Sequence, residues 1–374
     1  MTPAVPACVI CGGTRWTPLP NPGSRSMASD WRIVDEPLAR MVCDTCGLAR
    51  RLPTTDSLAL YESGYALYAH APGDSREQAR QAEYARWIAG TIATPPSRVL
   101  DVGCGNGSLL RALRQCWPNA DLLGCDPSGE AIAAGSAEGV RLWRGDALDL
   151  PRDLAVDLVV TVNVIEHTID PLPFVAALAR AVVPDGRVIV ICPDGGRPGL
   201  ELLFVDHLFS FGRAHLEAMM RRGGLEVIAA SRAPGSLGAF QMIAGRRSDE
   251  REPHDVEAAP VAGRAAYLER WRLLDGHLET RLGPRVTCFG AGEAAGLLRA
   301  YAPRSWARVV ACTADAAPPG QFGGVPIVPL DQVEADVPLL LGVRPRDQKR
   351  LAERLRARFS RVIEWYDLVD DEHD

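Results

Sequence analysis

The stretch Val99-Leu100-Asp101-Val102-Gly103-Cys104-Gly105-Asn106-Gly107-Ser108 decides the fold. RVLDVGC reads as a strand that delivers the backbone into a turn with glycines at alternating positions. SLLRALRQCW, from Ser108 onward, continues with apolar residues at helical spacing. Without Cβ atoms such a turn lets a ligand lie against the main chain, with the N–H groups of the next helix pointing at it. A dinucleotide site reads G-x-G-x-x-G. Here the order is G-x-G-x-G, with the acidic Asp101 inside the preceding strand.

The same strand, turn and helix pattern repeats on the C-terminal side. ADLLGCD (120–126), VRLWRGD (140–146), DLVVTVNVIEH (157–167) and RVIVICPD (187–194) read as strands. GEAIAAGSAEG (129–139), PFVAALARAVV (173–183) and HLEAMMRRGG (215–224) read as helices. LEVIAASRA (225–233) and FQMIAGRR (240–247) close the series as late strands. Apolar strands alternating with helices predict an α/β, Rossmann-like parallel sheet, with a late strand running antiparallel. Asp126 ends the second strand, where a carboxylate can accept both hydroxyls of a ribose. Gly145-Asp146-Ala147 follows the third strand, placed for contact with an adenine edge.

DVGCGNG, the acidic strand end at Asp126, GDA, and VNVIEH followed by PDGRVIVICPD stand in one order along residues 97–245. In this they resemble the class I S-adenosylmethionine (SAM)-dependent methyltransferases. The resemblance implies that Asp101, Gly103, Gly105 and Gly107 shape a methionine pocket and that Asp126 holds the ribose. It also implies that Asp146 and Ala147 flank the adenine, and that Asn163, Glu166 and His167 line the site after the fourth strand. Cys104, inside the glycine loop, reads as a buried, inert thiol.

Four of the ten cysteines fall in the first 50 residues, as Cys8-x2-Cys11 and Cys43-x2-Cys46. Two such knuckles offer the tetrahedral four-thiolate shell that zinc prefers, with no position left open for chemistry. The expectation is a structural Zn2+; disulfides suit a reducing compartment poorly. A zinc unit of this size can also grip nucleic acid. Against that stand its few aromatics, Trp16 and Trp31, and its scattered arginines.

Phe204-Val205-Asp206-His207-Leu208-Phe209 follows the fifth strand. A histidine beside a carboxylate can serve as a general base, with the acid orienting the ring. The whole arrangement resembles the zinc-containing C-methyltransferases of nucleotide-linked deoxysugars, which add a C-terminal Rossmann-like domain. That resemblance implies an acceptor base at His207 with Asp206, where the group usually has glutamate. It implies a tyrosine from the bridge, for which Tyr61, Tyr65 and Tyr68 are candidates. Phe204 stands where the group carries another tyrosine.

The expected organisation is a zinc module at 1–50, a bridge and helical segment at 51–96 with a helix over 75–93, and the methyltransferase domain at 97–245. A linker at 246–262 and a smaller Rossmann-like domain at 263–374 follow. In the last of these, Gly290-Ala291-Gly292-Glu293-Ala294-Ala295-Gly296 departs by one place from the dinucleotide pattern. Its glycines serve helix packing or the grip of a substrate phosphate, with Arg344 and Arg346 as further phosphate contacts or solvated charges.

Length and charge agree with an enzyme acting on a small molecule. The chain has 374 residues, 47% of them apolar and 24% charged, with a formal charge of −6. That excludes wholesale disorder and a fibrous fold, and argues against bulk binding of nucleic acid. No apolar run has membrane-spanning length, and the start MTPAVPACVICGG lacks a signal pattern, so the expected location is cytoplasmic. The expected activity is methyl transfer from SAM to a small-molecule acceptor, foremost carbon methylation of a nucleotide-linked keto-sugar. The alternatives are O- or N-methylation of another metabolite, an RNA methyltransferase, a non-enzymatic SAM-binding adapter, and a nicotinamide oxidoreductase.

Overall fold

The computed structural model describes residues 6–51, 75–135, 139–235, 237–248, 256, 261–315 and 320–369. The bridge tyrosines Tyr61, Tyr65 and Tyr68, most of the expected linker and the acidic tail lie outside the described residues. The chain divides into two compact units. The first holds Met1–Thr17, Met41–Arg197 and Asp206–Pro260; the second holds Pro18–Arg40, Pro198–Val205 and Val261–Asp374.

The first unit is built on a seven-stranded sheet. Its strands are β1 (Arg98–Val102), β2 (Asp121–Asp126), β3 (Val140–Arg144), β4 (Val156–Val162), β5 (Val182–Pro193), β6 (Leu225–Arg232) and β7 (Phe240–Arg247). The spatial order is β6-β7-β5-β4-β1-β2-β3. Strands β1 to β5 are parallel, and β7 runs antiparallel to both β5 and β6. The chain moves outward from β1 through β2 to β3, then returns to begin β4 on the other side. The crevice beyond the carboxyl ends of β1 and β4 is therefore the switch point where open α/β sheets take their ligands.

Among the described residues, the sheet is accompanied by the helices α1 (Ser75–Ala89), α2 (Ser108–Cys116), α3 (Gly129–Ala134), α4 (Pro171–Ala181) and α5 (Arg213–Arg222). One face buries Tyr84, Ile88, Leu109, Leu110 and Leu113 of α1 and α2 against the sheet. The other buries Phe174, Val175 and Leu178 of α4 with Leu216, Met219 and Met220 of α5, together with Cys8, Cys43 and Cys46. The cysteine knuckles thus share a core with the sheet's α4–α5 face.

Two helices are shorter than the sequence suggests, and a glycine accounts for each. The helix expected over 75–93 ends at Ala89, before Gly90. The one expected over 129–139 stops at Ala134, and a Cβ on the following Gly135 would lie 2.2 Å from the Asn106 carbonyl oxygen. That helix end is packed against the glycine loop itself.

The second unit carries a six-stranded sheet of β8 (Val286–Phe289), β9 (Val309–Thr313), β10 (Gly320–Phe322), β11 (Val325–Ile327), β12 (Leu339–Leu341) and β13 (Val362–Ile363), in the order β10-β11-β9-β8-β12-β13. Among the described residues, only the β10–β11 pairing is antiparallel. Helices α6 (Val261–Arg281), α7 (Glu293–Tyr301), α8 (Pro303–Trp306) and α9 (Pro345–Leu355) accompany it. Two short segments assigned elsewhere by the sequence reading pack here. Met27 lies against α7, where a Cβ on Gly296 would meet its sulfur at 2.6 Å. The buried Arg40 guanidinium donates to the carbonyls of Leu202 (2.6 Å) and Phe204 (2.8 Å), and the Tyr301 hydroxyl donates to Leu203 O (2.5 Å). Residues 18–40 and 198–205 are recruited by these contacts, which leave no trace in local sequence pattern.

Candidate active site

The glycine loop joins β1 to α2, as expected. Gly103 has φ +80°, and a Cβ there would lie 2.3 Å from Val164 Cγ2, so conformation and space both require glycine. Gly105 and Gly107 also adopt positive φ. Asn106 Oδ1 accepts from Ser108 N (3.1 Å), closing the turn that opens α2.

Asp101 and Asp126 are both buried at neighbouring strands. Asp126 accepts from Gly105 N (2.9 Å) through Oδ2 and from Ser128 N (2.8 Å) through Oδ1, tying the end of β2 to the glycine loop. Burial, and then the charge of Asp126, push the Asp101 carboxyl up to about 8. Burial, followed by those two acids, holds the Cys104 thiol well above its usual range. A thiol so placed is a poor nucleophile.

Across the switch point, Asn163 follows β4 in the left-handed region, at φ +57°. The buried oxygens Asp101 Oδ1, Thr161 Oγ1 and Asn163 Oδ1 have no protein hydrogen-bond partner. Buried polar oxygens in that state are costly, and are resolved by a ligand that brings polar groups or positive charge. An amino-acid ammonium answers that need, so the residues here fit the methionine end of SAM. Asp146 Oδ1 caps its own turn by accepting from Leu148 N (2.6 Å) and Asp149 N (3.2 Å), and Ala147 is buried in the core.

A second cluster stands beyond β4 and β5. Glu166 and His167 belong to the single turn Ile165–His167, and Asp206 and His207 precede the short strand Phe209–Ser210. His167 Nδ1 lies 2.9 Å from the Asp206 carbonyl oxygen and 3.9 Å from its carboxylate. The rings of His167 and His207 meet edge to face at 4.7 Å. The sequence expectation pairs Asp206 with its neighbour His207; the structure sets Asp206 against His167, a contact 39 residues distant that local reading cannot supply.

His207 is positioned from the cysteine side. Ala49–Arg51 pairs antiparallel with Phe209–Ser210, and Arg51 N donates to Leu208 O (2.8 Å). The Arg50 guanidinium lies over Phe209 (5.3 Å) and Trp16 (5.6 Å). Sequence reasoning missed His215, which accepts from Gly212 N through Nδ1 (3.1 Å). Its Nε2 must then carry the hydrogen and donate to Cys46 O (2.7 Å). This neutral ring ties α5 to the second knuckle.

The four cysteines converge. Their sulfurs lie within 4.8 Å of one another, with Cys8–Cys46 at 3.6 Å and Cys11–Cys43 at 3.5 Å. Tetrahedral zinc with bonds of about 2.3 Å sets its sulfurs about 3.8 Å apart, so the donor set fits that ion and not a disulfide. The hydrogen bond from the Cys46 thiol pulls Cys8 down to about 5.

In the second unit the Gly290 loop is shaped by packing. A Cβ on Gly290 would lie 2.3 Å from the Gly342 carbonyl oxygen. Arg344 pairs with Glu293 (2.9 Å), and Arg346 is exposed.

Residues 76–230 match a family described as a methyltransferase domain. This region is a methyltransferase domain. A stretch of 188 residues is 27% identical to a ubiquinone biosynthesis O-methyltransferase of Ralstonia nicotianae, covering 48% of this chain and 74% of that protein. Another of 104 residues is 32% identical to norajmaline N-methyltransferase of Rauvolfia serpentina, covering 26% of this chain and 36% of that protein. The chain thus spans about a third of the length of the plant enzyme. Among solved structures, a SAM-dependent methyltransferase of Mesorhizobium loti is similar, at 18% identity and a TM-score of 0.37, covering 44% of this chain and 98% of that one. Among the described residues, no helix is long and apolar enough to cross a membrane.

Proposed function

We propose that this chain transfers a methyl group from SAM to a small-molecule acceptor. The observation that carries the reading is the set of orphaned buried oxygens at the β1–β4 switch point, beside a glycine loop that admits no side chain. Asp101, Gly103, Gly105, Gly107 and Asn163 would hold the methionine end of the donor. Asp126 would hold its ribose, and Asp146 with Ala147 would flank its adenine. When bound, SAM supplies an electrophilic methyl group on a sulfonium. The protein's own work is alignment and proton removal. His207 takes the acceptor proton; Asp206, Glu166 and His167 surround it and set its orientation.

The finer reading is carbon methylation of a nucleotide-linked keto-sugar. It rests on the sequence resemblance and on a histidine and carboxylate cluster suited to removing a proton beside a ketone. Oxygen or nitrogen methylation is the second reading, favoured by relatives named for those activities. Under both readings the four cysteines hold a structural zinc ion. This zinc fixes the strand against which the His207 segment is paired.

The test is a calorimetric titration with S-adenosylhomocysteine, followed by incubation with keto-sugar nucleotides in deuterium oxide. Binding, with solvent deuterium entering the acceptor at carbon, is the expected result. Binding without exchange moves the methyl group to oxygen or nitrogen. A folded, zinc-loaded protein that binds no S-adenosylhomocysteine refutes the proposal.

A further inference from the structure

We propose that Glu166, His167 and His207 form a second divalent-cation site, separate from the four-cysteine cluster and suited to a borderline ion such as Zn2+. Their donor atoms lie within 4.8 Å of one another, the same spread that encloses the four sulfurs. Glu166 and His207 are buried and His167 is half-buried, so this is no solvated charge cluster.

The hydrogen bonding around His167 orients it as a ligand. The Asp206 carbonyl oxygen, 2.9 Å from Nδ1, can only accept, so Nδ1 carries the hydrogen. The other ring nitrogen, Nε2, lies 3.9 Å from Glu166 Oε1. That spacing is too long for a hydrogen bond. Two ligands each about 2.05 Å from one ion stand at most about 4.1 Å apart, so an ion can bridge them. A ring N–H given to a backbone carbonyl, with a carboxylate close by, is the outer-shell support that metal-binding histidines carry. The Asp206 carboxylate supplies the second element, 3.9 Å from the same nitrogen. The edge-to-face contact of the two rings, with centroids 4.7 Å apart, brings His207 in as the third ligand. Two imidazoles and a carboxylate leave a coordination position open, unlike the closed thiolate shell.

The consequence rests on the reading of His207 as the base. An imidazole nitrogen bound to a cation cannot accept a proton there, so the bound ion inhibits methyl transfer.

The experiment titrates the holoenzyme, its four-cysteine site filled with zinc, with Co2+. The expected result is one further equivalent showing the weak visible bands of nitrogen and oxygen ligation, without intense near-ultraviolet thiolate charge transfer. His167→Ala and His207→Ala each weaken this binding at least about tenfold. His277→Ala, at an exposed histidine of α6, leaves it unchanged. Added Zn2+ lowers turnover, and a mild chelator restores it.

Persistence of the bands in both site variants, or thiolate-type absorption alone, overturns the site. Turnover indifferent to Zn2+ overturns its inhibitory role. Circular dichroism shows that the variants are folded, and S-adenosylhomocysteine titrations are run on the same samples. These titrations separate the two proposals: a cobalt site in a protein that binds no S-adenosylhomocysteine upholds this inference and removes the methyl-transfer reading.

Discussion

Asp101 sets a conflict between stability and ligand binding that one substitution exposes. Its carboxyl is pushed from 3.8 to about 8 in the folded protein, first by burial and then by Asp126. The fold therefore favours the protonated form. Below about pH 4 both folded and unfolded chains hold the proton and nothing is lost. As pH climbs toward 8 the unfolded chain gives its proton up freely while the folded one retains it, and stability falls. At 1.36 kcal/mol per unit, the roughly three units between 3.8 and neutral pH cost at most about 4 kcal/mol. Asp101→Asn removes this cost while keeping the side chain's shape. For a body of this size each kcal/mol moves the melting temperature about 2–4 °C. The variant should therefore melt up to about 16 °C higher at pH 7 and scarcely higher at pH 4. The assay is thermal unfolding followed by tryptophan fluorescence from pH 4 to 9, after removal of bound nucleoside. The same variant should bind S-adenosylhomocysteine at least about tenfold more weakly, since an ionised Asp101 is the natural partner of its ammonium. A melting difference that stays constant with pH, or reverses above pH 7, refutes the reasoning.

Three other outcomes follow from the geometry. Gly103→Ala meets positive φ and a Val164 methyl at 2.3 Å, so calorimetry should find S-adenosylhomocysteine binding abolished. The Cys104 thiol, held well up by burial, should resist alkylation at pH 8 in the folded chain and react on unfolding, as intact mass will show. Zinc removal by a strong chelator should cut turnover by more than about tenfold while changing S-adenosylhomocysteine affinity less than about threefold, because the strand after the second knuckle pairs directly with the His207 segment.

The candidate donor crevice was legible as geometry because its parts are local. A strand end, a glycine turn and an acid at the end of the next strand each occupy a few consecutive residues, and the parallel sheet brings them together by topology alone. Asp101, Gly103, Gly105, Gly107 and Asp126 accordingly fall around one crevice. The cysteine quartet was legible for a similar reason, since each knuckle is a two-residue spacer. The acceptor half was legible only as residue types. His207 and Asp206 stand out as a neighbouring pair, yet the contact that orients His167 runs from Asp206 across 39 residues, and His215 reaches Cys46 across 169. No periodicity encodes such distances. The recruitment of residues 18–40 to the second unit was invisible too, because it depends on a buried arginine and a methionine meeting elements far along the chain.

This difference between the halves bears on how the molecule can vary. The donor crevice is held by backbone: Gly105 and Ser128 N–H groups on Asp126, and glycines against Val164 and Leu142. Few side chains can change there without closing the space. The acceptor cluster is held by side chains on a segment paired to Ala49–Arg51, with Arg50 over Phe209 and His215 on the Cys46 carbonyl. Substitutions in that support would shift His207 without touching the donor. A metal ion held by the knuckles would act on the His207 segment through the paired strands, since Cys43 and Cys46 lie in the same core as α5.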